Sequence, residues 1–421
     1  MRQLITVTFM GLSCLLAGQT SFSQDSSPIP DSAISLPIPI QASAPQQPIL
    51  IPQAPAIDAK GYVLMDVGTG NIIAQNNMDG RIEPASLTKL MSTYVVFNAL
   101  QNKTITLNDQ VRVSEAAWNA EGSRMFIKEG DDVKVSDLIQ GDIVASGNDA
   151  TIALSEHVAG SETSFVEMMN AQAQLLGMSS SHFVNATGLP AEDHYTTPAD
   201  LAKLSRGIIL NFPDQYHWFS EKWFVYAGIK QPNRNRLLWQ YPGTDGLKTG
   251  HTDAAGYCLI ASAVKGNTRL LAVVMGAPSD KERAADAIKL FTYGFRFFQS
   301  TKLYDANAAL TTARVWKGEK KEVQLGSATP INVTLPVGAQ KLVKNTIEVN
   351  PNLTAPIIKG QVYGKVTTMY EDKVVATAPL IALEDDPKGG FFRSLSDSIS
   401  KTFHHFFGKK DADNNTTKKG E

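Results

Sequence analysis

The chain has 421 residues, with 39 basic and 41 acidic side chains and a formal net charge of −2. So balanced a surface lacks the basic footprint that nucleic-acid binding needs, and no such partner is expected. A hydrophobic fraction of 43 % with 19 % charged residues excludes wholesale disorder, and the length suits two domains, or one large and one small.

Residues 1–23 start with Arg2, run through an apolar stretch over 4–16, and end in Ser21-Phe22-Ser23. A basic start, a short apolar core and small residues at −3 and −1 predict a secretory signal cleaved before Gln24. Gly11-Leu12-Ser13-Cys14 resembles a lipoprotein processing site only loosely, because it lacks the aliphatic residue three before the cysteine. The two cysteines, Cys14 and Cys258, are too few for a disulfide framework. Cys258, in an apolar run, is expected to be a buried free thiol. Residues 24–58 are rich in Pro, Ser, Ala and Gln, a composition that predicts an extended spacer.

Globular patterning begins near Lys60. Tyr62-Val63-Leu64-Met65-Asp66 and Ile72-Ile73-Ala74 read as strands joined by the turn Gly68-Thr69-Gly70. An apolar helix follows Pro84, and further helical runs cover about 136–159, 163–176 and 198–210. Segments 257–264 and 269–276 flank Gly266-Asn267, a second hairpin signal. Strands outside and helices between predict an α/β layer domain with a helical insertion over 59–296. Short strands around Val323, Ile331, Val362 and Val374 then predict a small all-β domain over 297–385. An amphipathic stretch at 389–408 and a polar tail at 409–421 close the chain.

Ser86-Leu87-Thr88-Lys89 sets a serine and a lysine three apart at a helix start, on one face and about 5–6 Å apart at Cβ. A serine hydroxyl needs a neighbouring base, and a lysine serves only if burial or a nearby cation lowers its pKa. The spacing recurs at Ser262/Lys265 and Ser398/Lys401, the first in a predicted strand and the second on the terminal stretch. Two companions single out Ser86. Ser146-Gly147-Asn148 adds a hydroxyl and an amide, and Lys248-Thr249-Gly250 adds a cation and a glycine that permits close backbone approach.

The ordered trio resembles the serine penicillin-binding proteins and serine β-lactamases. Gly147, where β-lactamases of class A carry Asp, favours the low-molecular-mass D-alanyl-D-alanine carboxypeptidases. Glu83-Pro84-Ala85, Asp149-Ala150, Gly246-Leu247, His251-Thr252 and Tyr293-Gly294-Phe295-Arg296-Phe297-Phe298 extend the likeness, which runs from about 58 to 408. The resemblance implies a β-lactamase/transpeptidase-like α/β domain, with an antiparallel sheet flanked by helices and a helical subdomain. A small all-β domain and a C-terminal amphipathic helix follow it. It implies that Ser86 attacks the carbonyl between the terminal D-alanines of the peptidoglycan stem peptide, and that Lys89 takes its proton. Ser146 relays a proton to the departing D-alanine, Asn148 holds the substrate backbone, and Lys248, Thr249 and Gly250 help to bind it. Arg283 meets the terminal carboxylate, and the amides of Ser86 and His251 form the oxyanion hole. β-Lactams would act as inhibitors.

In this reading His251 contributes through its backbone rather than as a general base. The other histidines show no metal-ligand spacing, so neither a metal nor a cofactor is expected. Phe391, Phe392, Leu395, Ile399, Phe403, Phe406 and Phe407 recur at steps of three or four, giving an apolar face suited to a membrane interface. The expected location is the periplasmic side of the cytoplasmic membrane. A β-lactamase, a D,D-endopeptidase and a non-catalytic peptidoglycan-binding protein are the competing functions.

Overall fold

Alternation along three strands explains the main body. In the central strands Val63, Met65, Ile260, Leu271, Val273 and Met275 join one core, whereas Leu64, Leu259, Ala261, Leu270, Ala272 and Val274 join another. Side chains on a strand point alternately to opposite faces, so near-continuous apolar runs require helices on both sides. The computed structural model describes residues 49–390. The export signal expected at 1–23, the spacer up to residue 48, the amphipathic stretch from 391 and the tail lie outside the described residues.

Strands β1 (Gly61–Asp66) and β2 (Ile72–Asn76) form the first hairpin. A 3-10 turn, Ala85–Thr88, runs directly into α1 (Lys89–Gln101). The short strands β3 (Gln110–Arg112) and β4 (Asp132–Lys134) enclose a one-turn helix, α2 (Glu115–Trp118). The helical block continues with α3 (Val135–Gln140), α4 (Asn148–Ala159), α5 (Glu162–Leu175) and α6 (Pro198–Asn211). A hairpin of β5 (Trp223–Tyr226) and β6 (Ile229–Pro232) and a turn of helix, α7 (Leu237–Gln240), lead back to the sheet. There β7 (Thr244–Thr252), β8 (Gly256–Lys265) and β9 (Thr268–Ala277) precede α8 (Asp280–Phe297). The sheet order is β2-β1-β9-β8-β7, antiparallel throughout. Side chains cap four of the helices, Ser114 on α2, Ser161 on α5, Thr197 on α6 with Pro198 at the first turn, and Ser279 on α8.

The run read as one helix over 136–159 is divided. After α3 a π-helical turn, Gly141–Ala145, ends at Ser146, whose backbone is left-handed (φ 58°, ψ 35°), and an extended Gly147 starts α4. A left-handed serine costs roughly 1–2 kcal/mol, and such strain collects at functional positions.

The second body contains β10 (Phe298–Tyr304), β11 (Ala309–Arg314), β12 (Glu322–Gly326), β13 (Ile331–Pro336), β14 (Val343–Val349), β15 (Val362–Tyr370) and β16 (Lys373–Ala382). β10 pairs with β13, and the others form a sheet ordered β11-β12-β16-β15-β14. Strands β10, β11 and β14 escape the sequence pattern. β11 and β14 lie at sheet edges, and β14 exposes its middle five residues, so no alternation marks it. The two bodies meet at buried Asp66, which accepts hydrogen bonds from Ser300 Oγ (2.5 Å) and Thr334 Oγ1 (2.8 Å). Residues 49–58 carry no regular secondary structure, yet Ala54 and Ile57 pack on the core under α8 and the Tyr293 hydroxyl donates to Pro52 O.

Candidate active site

Ser86 sits in the 3-10 turn before α1, and Lys89 is the first residue of that helix, so their i, i+3 spacing becomes a contact. Lys89 Nζ lies 3.2 Å from Ser86 Oγ and donates to Asn148 Oδ1 and Thr187 O, both at 2.6 Å. The lysine is fully buried while Ser86 is half-exposed at the cleft. Burial lowers the Lys89 ammonium from 10.5 to about 8, Asp142 opposes the shift, and Arg234 adds to it. Arg234 is thus one cation that helps to keep Lys89 neutral, and Lys248 is the other ammonium coupled to it by mutual repulsion.

Ser146, held in its left-handed turn, accepts from Lys248 Nζ at 2.7 Å. Lys248 also donates to Thr249 O at 3.1 Å. Burial, reinforced by the Lys89 charge, holds Lys248 well below its ordinary value. Asp142 lies among these cations, buried and bonded by Thr93 (2.9 Å) and Thr151 (2.5 Å). Burial pushes its carboxyl upward, and Lys89 and Lys248 pull it back down. Asn148 is committed at both ends, since its Nδ2 donates to Glu121 O at 2.5 Å. In this state it positions Lys89.

Strand β7 passes close to Ser86. A Cβ added at Gly250 would lie 3.1 Å from Ser86 N and 3.2 Å from Ala85 Cβ, so a side chain there would push the strand and the amide of Ser86 apart by a few tenths of an ångström. Ala85 itself has a positive φ of 47°, which aims the next residue out of the turn at a cost. Thr249 is buried beside Lys248. The His251 ring stacks on Tyr257 at 4.0 Å between centroids, and the group in contact with Ser86 Oγ is Lys89. Arg283 braces the strand, donating to Gly250 O (3.0 Å), Cys258 O (3.2 Å) and Asp280 (2.5 Å). It also borders a cavity with Arg234, Arg236 and His251. Cys258 is a buried free thiol whose pKa burial raises to about 11. Among the described residues no cluster of three or more His, Cys, Asp or Glu could hold a metal.

Three participants went unread in the sequence, and a fourth, Asp149, was read only as part of the likeness. Arg234 and Asp142 tune the lysines without any motif spacing to mark them. Asp149, beside the recognised Ser146-x-Asn148, accepts four backbone N–H bonds, from Met125, Phe126, Ile127 and Ala150, and so ties the 125–127 segment to the start of α4. His194 accepts from Val184 N at Nδ1 (3.1 Å), so its Nε2 carries the proton and donates to Thr88 Oγ1 (2.8 Å). Burial lowers its pKa to about 4. An acidic residue just past the serine–asparagine pair was the one legible signal among them.

A half-exposed serine touching a buried lysine of lowered pKa, at the joint of an antiparallel sheet and a helical block, is the arrangement that serine acyl transfer requires. The family model for D-alanyl-D-alanine carboxypeptidase matches residues 49–279, and that for the penicillin-binding protein 5 C-terminal domain matches residues 298–388. The chain is 43 % identical over 364 residues to the D-alanyl-D-alanine carboxypeptidase DacC of Escherichia coli (strain K12), which covers 85 % of this chain and 91 % of that protein. Penicillin-binding protein 5 from Haemophilus influenzae superposes with a TM-score of 0.77 at 42 % identity, over 80 % of this chain and 99 % of that one. Penicillin-binding protein D2 from Listeria monocytogenes, in its ampicillin-bound form, gives 0.54 at 30 % identity over 58 % of this chain and 100 % of that one.

The chain belongs to the D-alanyl-D-alanine carboxypeptidase family. It is accordingly a serine-type D-Ala-D-Ala carboxypeptidase, a hydrolase of peptidoglycan metabolism.

Proposed function

We propose that Ser86 is the nucleophile that removes the terminal D-alanine from peptidoglycan pentapeptides through an acyl-enzyme, and that β-lactams acylate the same hydroxyl. The observation that carries this reading is the 3.2 Å contact between Ser86 Oγ and a buried Lys89 whose pKa is about 8. Neutral Lys89 takes the serine proton as Oγ attacks the penultimate carbonyl. The oxyanion forms against the amides of Ser86 and His251. Ser146, bonded to Lys248, hands a proton to the leaving amine, and the C–N bond breaks. Thr249 and Arg283 receive the terminal carboxylate, while Gly250 keeps the strand close and Asn148 holds Lys89 until the substrate backbone competes for its amide. Water then hydrolyses the ester. Incubation with a pentapeptide ending in D-Ala-D-Ala should release free D-alanine. Benzylpenicillin should add one acyl group, on Ser86, and Ser86→Ala should accept none. An adduct on Ser262 or Ser398 would overturn the assignment.

We further propose, from the sequence, that residues 1–23 direct export and that the expected spacer is shorter than 24–58, ending near residue 48, because 49–58 pack on the catalytic domain that runs to 296 ahead of a β domain at 297–385. Residues 389–408 would then hold the enzyme on the outer face of the cytoplasmic membrane, with 409–421 as a free tail. Seven large apolar side chains at roughly 1.5–3 kcal/mol each when fully buried suffice for peripheral binding even if interfacial burial is partial. Among the described residues no helix is long and apolar enough to cross a membrane. Deleting 389–421 should release active enzyme to the soluble fraction. Continued sedimentation with membranes would refute the anchor.

A further inference from the structure

The catalytic cleft lies at one end of the main sheet, and the other end carries a second cavity. Strand β8 pairs Cys258 with Gly250, beside Ser86, and reaches Lys265 seven positions later by difference in number, roughly 23 Å at about 3.3 Å per residue. There the β8–β9 turn, the last turn of α8 and the start of β10 surround a cavity of about 470 Å³, bordered by Lys265, Asn267, Phe295, Phe298, Gln299 and Val337. Both bodies of the protein contribute to it, so the space sits at their joint. Its volume falls in the roughly 300–1,000 Å³ range of small-ligand sites.

The polar groups of the wall are unevenly used. Ser300 N donates to Thr268 Oγ1 (2.9 Å) and Ser300 Oγ donates to Asp66 (2.5 Å), which occupies two of the bordering residues. Gln299 Nε2, by contrast, is buried and has no acceptor. A buried donor without a partner is costly, and each one in a native protein calls for an explanation. Lys265 is the one charged residue on this wall, exposed at the turn, and no carboxylate borders the cavity to neutralise it. Phe295 and Phe298 are half-buried, and Val337 is left 47 % exposed. The site therefore combines an unused amide donor, two aromatic rings and a cation.

That set suits an N-acetylated amino sugar linked to a carboxylate. The acetamido carbonyl would accept from Gln299, and the C–H face of the pyranose would lie against the phenyl rings, whose faces are electronegative. The carboxylate would pair with Lys265. We propose that this cavity is an exosite for the glycan strand of peptidoglycan, a polymer of such sugars whose lactyl carboxyl groups carry the stem peptides. Holding the strand here raises the effective concentration of its stems at the Ser86 cleft. The inference rests on peptidoglycan as the substrate and not on which hydroxyl attacks it.

The test uses the full-length enzyme after treatment with benzylpenicillin, and glycan strands stripped of their stems so that the lactyl carboxylates are free. Such strands offer the cleft nothing to cleave, and their binding is read by titration calorimetry. The wild type should bind them. Gln299→Met keeps the length of the side chain and removes the donor, while Lys265→Glu reverses an exposed charge, and each should raise Kd about tenfold. Gln299→Met should also keep or raise Tm, because it deletes an unpaired buried donor, whereas a glutamine with a structural role would lower it. Both variants should trim a soluble pentapeptide at the wild-type rate and lose rate only on the intact polymer. The inference is overturned if the wild type ignores the strands, if either variant binds them normally, or if binding falls only together with Tm. Penicillin found on a hydroxyl other than that of Ser86 would overturn the catalytic assignment and leave the exosite standing.

Discussion

The protonation of Lys89 gives the most direct test of the site. Its shift from 10.5 to about 8 is about two and a half units, worth about 3 kcal/mol at 1.36 kcal/mol per unit. At pH 7 about a tenth of the enzyme then holds a neutral Lys89, against about three in ten thousand for an unshifted lysine, a gain of about 300-fold. The second-order rate of acylation by a reporter β-lactam should therefore climb with pH and level off above about 8. Lys89→Arg should lose about 10²–10⁴-fold, as for a missing general base, and should lose that limb, which separates Lys89 from Lys248. Two neighbours set the sign. Arg234 lowers the Lys89 pKa and Asp142 raises it, so Arg234→Gln should move the limb to higher pH and Asp142→Asn to lower pH. A profile flat from pH 6 to 10, or an acid shift in Arg234→Gln, would refute the electrostatic account.

Four further outcomes are expected. Ser146→Gly relieves the left-handed backbone at φ 58° while deleting the hydroxyl proposed as the proton relay, so thermal stability should hold or rise by about 1 kcal/mol as turnover falls about 10²-fold or more. Gly250→Ala would put a methyl 3.1 Å from Ser86 N, and acylation should slow while far-UV circular dichroism is unchanged. His194 has its folded pKa lowered to about 4. Its contribution of about 3 kcal/mol is present above pH 6.5 and drains away as pH falls toward 4, so His194→Gln should flatten the acid limb of a urea-denaturation series. The folded pKa of Lys89 is also depressed, and its cost of about 3 kcal/mol applies in full below pH 8 and is relieved as pH rises to 10.5. Unfolding free energy should thus increase over that window in the wild type and not in Lys89→Met.

The layered body was legible because its strands are buried on both faces and its turns are marked by Gly and Asn. Strands β1, β8 and β9 are near-continuous apolar runs, and Gly266-Asn267 separates the last two. β14 was not legible, for the opposite reason. An edge strand reading Val-Lys-Asn-Thr-Ile-Glu-Val has no buried face to impose a period of two. The break at Ser146 was hidden too. No helix-breaking residue type stands there except Gly147, and it is the tertiary site that holds a serine in the left-handed region.

The same division runs through the site. Groups fixed by local spacing, Ser86 with Lys89 and Ser146 with Asn148, could be read because one helix start and one tight turn deliver each pair. Arg234 and Asp142 could not, because what makes them matter is their distance to Lys89 across 145 and 53 positions of chain, respectively, by difference in number. Their effect also exists only once water is excluded. An exposed carboxylate and guanidinium near a lysine shift it little, whereas around a lysine with no solvent contact they set where it titrates. The reactivity proposed for Ser86 therefore depends on the burial of Lys89. Ser92→Ala, which deletes the hydroxyl bonded to Ala186 O (2.6 Å) beside the Thr187 carbonyl that accepts from Lys89, should loosen that wall of the lysine's pocket, raise its pKa toward 10.5 and slow acylation at pH 7 without touching either motif.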